Sequence, residues 1–194
     1  MSLDVLRKAQ LILLNEPPAS LLEHLRSLTA ARPGWAINGT VRASKATGDL
    51  NRLLHRLRGC PEMVQTAWAE ALTDQVNLLA VVEQVATVSL SIELVAPRPG
   101  IPASSSDGFH VDAARRRVIC TWVGAGTEWV EDAGVDWVEF GRFQHGRGGR
   151  AEFIRPDAPV HSLPAGVPAL IRANEWVHRR PWSPEPRLFS IIEP

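Results

Sequence analysis

Near residue 87 the hydrophobic period of this chain changes, and that change constrains the fold more than any other feature. Val88-Ser-Leu-Ser-Ile-Glu-Leu-Val-Ala96 puts an apolar side chain at nearly every second position, the pattern of a half-buried strand. Upstream the spacing is helical. Leu21, Leu22, Leu25 and Leu28 predict a helix that ends by Arg32-Pro33-Gly34. Residues 3–14 are apolar enough for a short helix or strand, closed by Pro17-Pro18. Residues 35–47 read as an irregular connection. Asp49 is placed to cap a helix containing Leu50, Leu53, Leu54 and Leu57, which Gly59 and Pro61 stop, and residues 62–86 predict one or two further helices.

Downstream of the change, strand-like runs are short and separated by turn residues. They are Arg117–Val123, Thr127–Val130, Trp137–Phe140, Ala151–Ile154, Val160–Leu163, Ala169–Ile171, Glu175–Arg179 and Arg187–Ile192, with Pro/Ser/Gly and Gly/Arg loops at 97–106 and 141–150. Seven or eight such strands suggest a sandwich, jelly roll or barrel. The expectation is an α+β chain, with a mainly helical part over 1–86 and a β core over 87–194. At 194 residues the two parts suit one domain better than two.

Composition narrows the partners. With 21 basic and 21 acidic residues the net charge is zero, so no overall field favours nucleic acid or an anionic membrane. Cys60 and Cys120 stand far apart with no C-x-x-C, which argues against a disulfide framework and for a reducing cytoplasm. The N-terminus lacks the order of a signal peptide, and no apolar run approaches the roughly 20 residues of a membrane span. A cytoplasmic monomer or homodimer with a small-molecule or protein substrate is expected. Only two of the 21 basic residues are lysine, and the arginine bias is a weak pointer to anionic ligands.

Chemistry concentrates at Asp107-Gly-Phe-His110-Val-Asp112. In an extended segment residues i and i+2 share a face, so His110 and Asp112 can approach one metal ion together. A third ligand must come from elsewhere. His24 and His55 lie in the helical half and His145 in a glycine-rich loop, which leaves His161 and His178. Cys120 reads as a buried strand thiol, relevant only to a zinc site. Gly124-Ala-Gly126-Thr127 lacks the ending of a phosphate loop and reads as a tight strand connection. Arg115-Arg116-Arg117 is ordinarily a solvated turn and strand start; beside a metal it would attract an anion.

The order His110, Asp112, a β-rich interval, His178 and then Arg187 nine residues on resembles the 2-oxoglutarate- and Fe(II)-dependent oxygenases. The likeness covers residues 88 to 194. It implies a double-stranded β-helix (jelly roll, cupin-like) core with the N-terminal helices as a layer, and Fe(II) and 2-oxoglutarate as cofactors. His110, Asp112 and His178 would be the iron ligands. Arg187, with Thr121 beside it, would bind the far carboxylate of 2-oxoglutarate. Arg117, Trp122, Glu128 and Trp129 are candidates for the substrate pocket, and the reaction would be a hydroxylation or related oxidation. Phe109-His-Val-Asp112, Gly124-Ala-Gly-Thr-Glu-Trp129 and Val177-His-Arg-Arg-Pro181 also resemble a bacterial family of unknown function. This chain departs from it at Ala125 and Arg180, where that family has Pro and Ser. It also lacks a Cys-Pro just before the His-x-Asp pair. The alternative on the same fold is a metal-binding protein that performs no oxygenation, holding zinc or another divalent ion for homeostasis or hydrolysis.

Overall fold

The structure, a computed structural model, describes residues 3–30, 34–97, 108–144 and 153–194. Asp107, His145, the Arg32-Pro33 helix end, most of both expected loops and the first half of the strand expected at 151–154 lie outside the described residues. In chain order the elements are α1 (Leu3–Lys8), β1 (Leu11–Leu13), α2 (Ala19–Ala30), β2 (Trp35–Arg42), α3 (Ala46–Leu54) and α4 (Glu62–Glu83). Then follow β3 (Thr87–Val95), β4 (Arg117–Val123), β5 (Glu128–Val130), α5 (Trp137–Gln144), β6 (Val160–Ser162), β7 (Ala169–Ile171), β8 (His178–Arg179) and β9 (Arg187–Glu193). A six-stranded sheet runs β1-β7-β4-β9-β3-β2 and a three-stranded sheet runs β6-β5-β8, with every pairing antiparallel.

Strand alternation divides the large sheet into two unlike faces. Val88, Leu90, Ile92 and Leu94 of β3, with Val118, Cys120 and Trp122 of β4, point toward the helices. There they meet Trp68, Leu72, Val76 and Leu79, which recur at helical spacing along α4. Ile119 and Ile171 point the other way and share a smaller core with Leu163 and Trp176, so the two sheets face each other. This is the jelly-roll arrangement, with α2, α3 and α4 layered outside the large sheet. No helix among the described residues is long and apolar enough to cross a membrane.

Three expectations need correction. Residues 35–42 are not irregular: β2 pairs with β3 along its whole length, from Trp35 opposite Leu94 to Arg42 opposite Thr87. Gly39 interrupts the apolar alternation of Trp35, Ile37 and Val41, because a Cβ there would lie 2.5 Å from Leu53 of α3. Asp49 is no cap. It lies within α3, buried, and accepts hydrogen bonds from the Arg42 backbone and guanidinium and from Arg52. Finally, Trp137–Phe140 opens helix α5 rather than a strand. Asp136 Oδ1 accepts from the amides of Val138 and Glu139, both at 3.1 Å, which satisfies the free N–H groups of a helix start.

Candidate metal centre

The site is built on one backbone pairing. His110 and His178 exchange both main-chain hydrogen bonds, at 2.9 and 3.0 Å, so they face each other across two antiparallel segments. Their rings lie 4.6 Å apart. The Asp112 amide donates to the Ala173 carbonyl at 2.8 Å, which continues the extended segment and returns the Asp112 carboxylate to the face of His110. His178 Nε2 lies 3.2 Å from Asp112 Oδ2, and His110 Nε2 lies 3.7 Å from Oδ1. Among the described residues these three form the group of histidine, cysteine and acidic side chains suited to one ion, their ligand atoms all within 4.8 Å.

Hydrogen bonding decides what the cluster can hold. His110 Nδ1 is 2.8 Å from the Gly108 carbonyl and His178 Nδ1 is 2.7 Å from the Trp176 carbonyl. A carbonyl only accepts, so both Nδ1 atoms carry the proton and both Nε2 atoms present lone pairs. Those lone pairs are turned toward a carboxylate, acceptor against acceptor. A cation placed among them converts the conflict into coordination, and two imidazoles with one carboxylate form the facial donor set suited to Fe(II). Burial pushes the Asp112 carboxyl up. Where no ion lies between them, a protonated His178 donates to it instead, and that bond, with the charges of His178, Arg117 and His110, outweighs burial and holds the group below the ordinary carboxylate range. Arg117 bridges Asp112 Oδ2 at 2.5 Å and Glu193 at 2.7 Å, fixing the carboxylate from behind.

Behind the cluster lies a cavity of about 210 Å³, reached by His110, Asp112, His178, Arg117 and Arg187. Arg187 is only 6 % exposed. Its Nη2 donates to Thr121 Oγ1 at 2.9 Å and Thr127 Oγ1 at 2.7 Å, and its guanidinium lies 4.7 Å from the Phe189 ring centroid. Among the described residues no carboxylate is within ion-pair distance of it. Burial lowers its pKa to about 10, and the nearby charge of Arg180 adds to the shift. Thr127 was not legible as a site residue. It arrives through the tight connection after β4, where a Cβ on Gly124 would meet the Pro186 carbonyl at 2.5 Å and one on Gly126 the Leu163 carbonyl at 1.8 Å.

Other candidates fall elsewhere. Trp122 is buried on the helix side, donating to Ser190 Oγ at 2.9 Å. Glu128 pairs with Arg179 at 2.6 Å, and neither Glu128 nor Trp129 lines the cavity. His161 is 3.5 Å from Glu131 and stacks on Trp129, outside the cluster. Burial raises the Cys120 thiol above its usual range, as suits a packing residue. Arg116 turns to the helices and pairs with Glu83. A larger cavity, about 570 Å³, lies between α4 and residues 13–18 and contains none of these side chains.

Solved structures with the same fold include the rice dioxygenase for auxin oxidation, at 13% identity and TM-score 0.54 over 98% of this chain and 75% of that one. The Arabidopsis thaliana dioxygenase for auxin oxidation 1, in its 2-oxoglutarate binary complex, matches at 9% identity and TM-score 0.53 over 98% and 86%. A bsmA homolog from Methylobium petroleophilum matches at 13% identity and TM-score 0.52 over 99% and 91%. No curated protein matches the chain. At these identities the likeness speaks for the fold, that of the 2-oxoglutarate/Fe(II) oxygenases. The family model described as "Protein of unknown function (DUF1826)" matches residues 9–183, so the chain belongs to that family, and it has a jelly-roll fold.

Proposed function

We propose that this protein is an Fe(II)- and 2-oxoglutarate-dependent oxygenase. The observation that carries the reading is Arg187: a buried guanidinium that, among the described residues, meets hydroxyls and an aromatic ring but no carboxylate, in the same cavity as a two-histidine, one-aspartate cluster. A buried cation without an anion is costly, and a carboxylate-bearing ligand supplies the missing charge. His110, Asp112 and His178 would hold the iron. With a 2-oxo acid bound, the iron supplies activation of O₂ for oxidation of a substrate.

The protein's own contributions follow from the geometry. The Gly108 and Trp176 carbonyls hold both imidazoles in the tautomer that offers Nε2. Arg117 orients the Asp112 carboxylate through Oδ2 and leaves Oδ1 toward His110. Arg187 receives the far carboxylate of 2-oxoglutarate through charge-assisted bonds, with Thr121 and Thr127 fixing the plane of its fork. Phe189, Ile119 and Ile191 wall the cavity with apolar surface, which strengthens that ion pairing. His110, half exposed at the mouth, marks the side from which a substrate approaches.

The test is anaerobic loading with Fe(II), followed by titration with 2-oxoglutarate and an assay for succinate. One equivalent of iron that His178→Ala abolishes, and 2-oxoglutarate binding that Arg187→Met weakens, are the expected results. Iron binding unaffected by His178→Ala would sink the metal assignment. Tight zinc binding with no 2-oxoglutarate affinity would favour the non-oxygenase alternative.

A further inference from the structure

A continuous line of aromatic rings leads away from the candidate metal centre. His178 stacks on Trp176, with centroids 5.0 Å apart at 22°. Trp176 meets Trp129 at 5.8 Å, and Trp129 stacks on His161 at 4.6 Å. The sequence of small sheet and turn builds this line directly. Trp129 of β5 is the register partner of both His178 of β8 and His161 of β6, and Trp176 is two residues before His178. Trp176 is buried, whereas Trp129 and His161 are half-buried, so the line begins at a metal ligand and ends at solvent.

From this we propose that Trp176 and Trp129 form an electron path that discharges the metal site when it is oxidised without a substrate to consume the oxidant. The proposal rests on the oxygenase reading above. Tryptophan is the most readily oxidised aromatic side chain available, because the chain contains no tyrosine. A one-electron oxidant generated at the metal site from O₂ or peroxide takes one electron from Trp176. Trp176 Nε1 is buried with no hydrogen-bond partner among the described residues, so none of them stands ready to take its proton. The indole stays a radical cation, a strong oxidant, and recovers its electron from Trp129. An electron donor in solution, such as ascorbate, then restores Trp129. One electron enters from ascorbate and one leaves to the metal-site oxidant, with no bond to either ring made or broken. Without a donor, oxidised Trp129 loses its N–H proton to water and combines with O₂.

The surroundings keep this route distinct. Ile119, Ile171, Leu163 and Ile191 pack around the two rings and exclude water from their contact. The other tryptophan pair, Trp68 and Trp122, lies in the core on the helix side of the large sheet. Trp137 and Trp182 are 43% and 44% exposed and stand off the line, so they serve as internal controls for oxidation from bulk solution.

The experiment loads the full chain with Fe(II), adds hydrogen peroxide without substrate or 2-oxoglutarate, and maps oxygen uptake by peptide mass spectrometry. Trp129 oxidation is expected several-fold above Trp137 and Trp182, and ascorbate suppresses it. In Trp176→Phe, with iron stoichiometry intact, Trp129 falls to the level of the two controls. In Trp129→Phe, a change at a less buried site, the oxidation moves to Trp176. Should Trp129 be oxidised no more than the controls, or equally in Trp176→Phe, the path is wrong although iron binds. Should iron fail to bind at the three residues, the oxygenase reading falls first and the path with it.

Discussion

The two faces of the six-stranded sheet both bury polar groups, but on different terms. On the helix side the buried charges are answered from within the chain, although Trp68 Nε1 and Gln75 Oε1 find no partner among the described residues. Arg116, 2% exposed, meets Glu83 at 2.7 Å and the Arg7 carbonyl, and the Trp122 N–H meets Ser190. On the side turned to the small sheet, Arg187 meets hydroxyls and the Phe189 ring but no carboxylate among the described residues, and two imidazole lone pairs face a carboxylate. The first face is balanced in charge and the second is open by one anion and one cation. That difference, rather than burial, separates a supporting polar group from a site.

Breaking the balanced face should cost the most. Glu83→Ala leaves the Arg116 guanidinium buried without its anion, and the expected loss is about 3–5 kcal/mol in urea unfolding. The open face answers differently. Arg187→Met removes a charge that no carboxylate among the described residues neutralises, so folding stability holds or rises, while 2-oxoglutarate binding weakens by roughly 10- to 150-fold, the worth of about 1.5–3 kcal/mol of charge-assisted bonds. Equal losses of stability in the two variants would erase the distinction. Ser190→Ala is a finer cut: it strands the Trp122 N–H and should cost about 1–3 kcal/mol without touching ligand affinity.

The smallest effect lies in pH. Hydrogen bonds from Arg42, with the charges of Arg42 and Arg52, hold the Asp49 carboxyl well below the usual range. A depressed carboxylate stabilises the fold fully above the unfolded pKa of about 3.9, and that contribution is lost as pH falls toward the lower folded value. Asp49→Asn should therefore flatten the acid limb of stability below about pH 4 and leave the neutral difference between the two faces unchanged.

How much of this the bare sequence revealed follows from how local each signal is. The strands β3, β4 and β9 announce themselves by alternation or by β-branched runs, and His110 with Asp112 needs only a two-residue spacing. The order of His178 and Arg187 was legible only through a family pattern. β2 was hidden because Gly39 yields its side-chain space to Leu53, a contact between elements fourteen residues apart. α5 carried a readable signal in Asp136-Trp-Val-Glu139, the spacing of a capping box, but aromatic and β-branched content outweighed it. Thr127 and the role of Arg117 depend on close strand approach and on Glu193 at the far end of β9, which no local pattern encodes.

The exchange of backbone hydrogen bonds between His110 and His178 joins positions 68 apart in the chain. Any ion gripped by both residues is a removable cross-link that closes a long loop, with the entropic benefit a disulfide of that span would bring and none of its permanence. Loading therefore couples to the zipping of the two segments. Amide exchange at His110, Asp112 and His178 becomes a gauge of occupancy that needs no substrate.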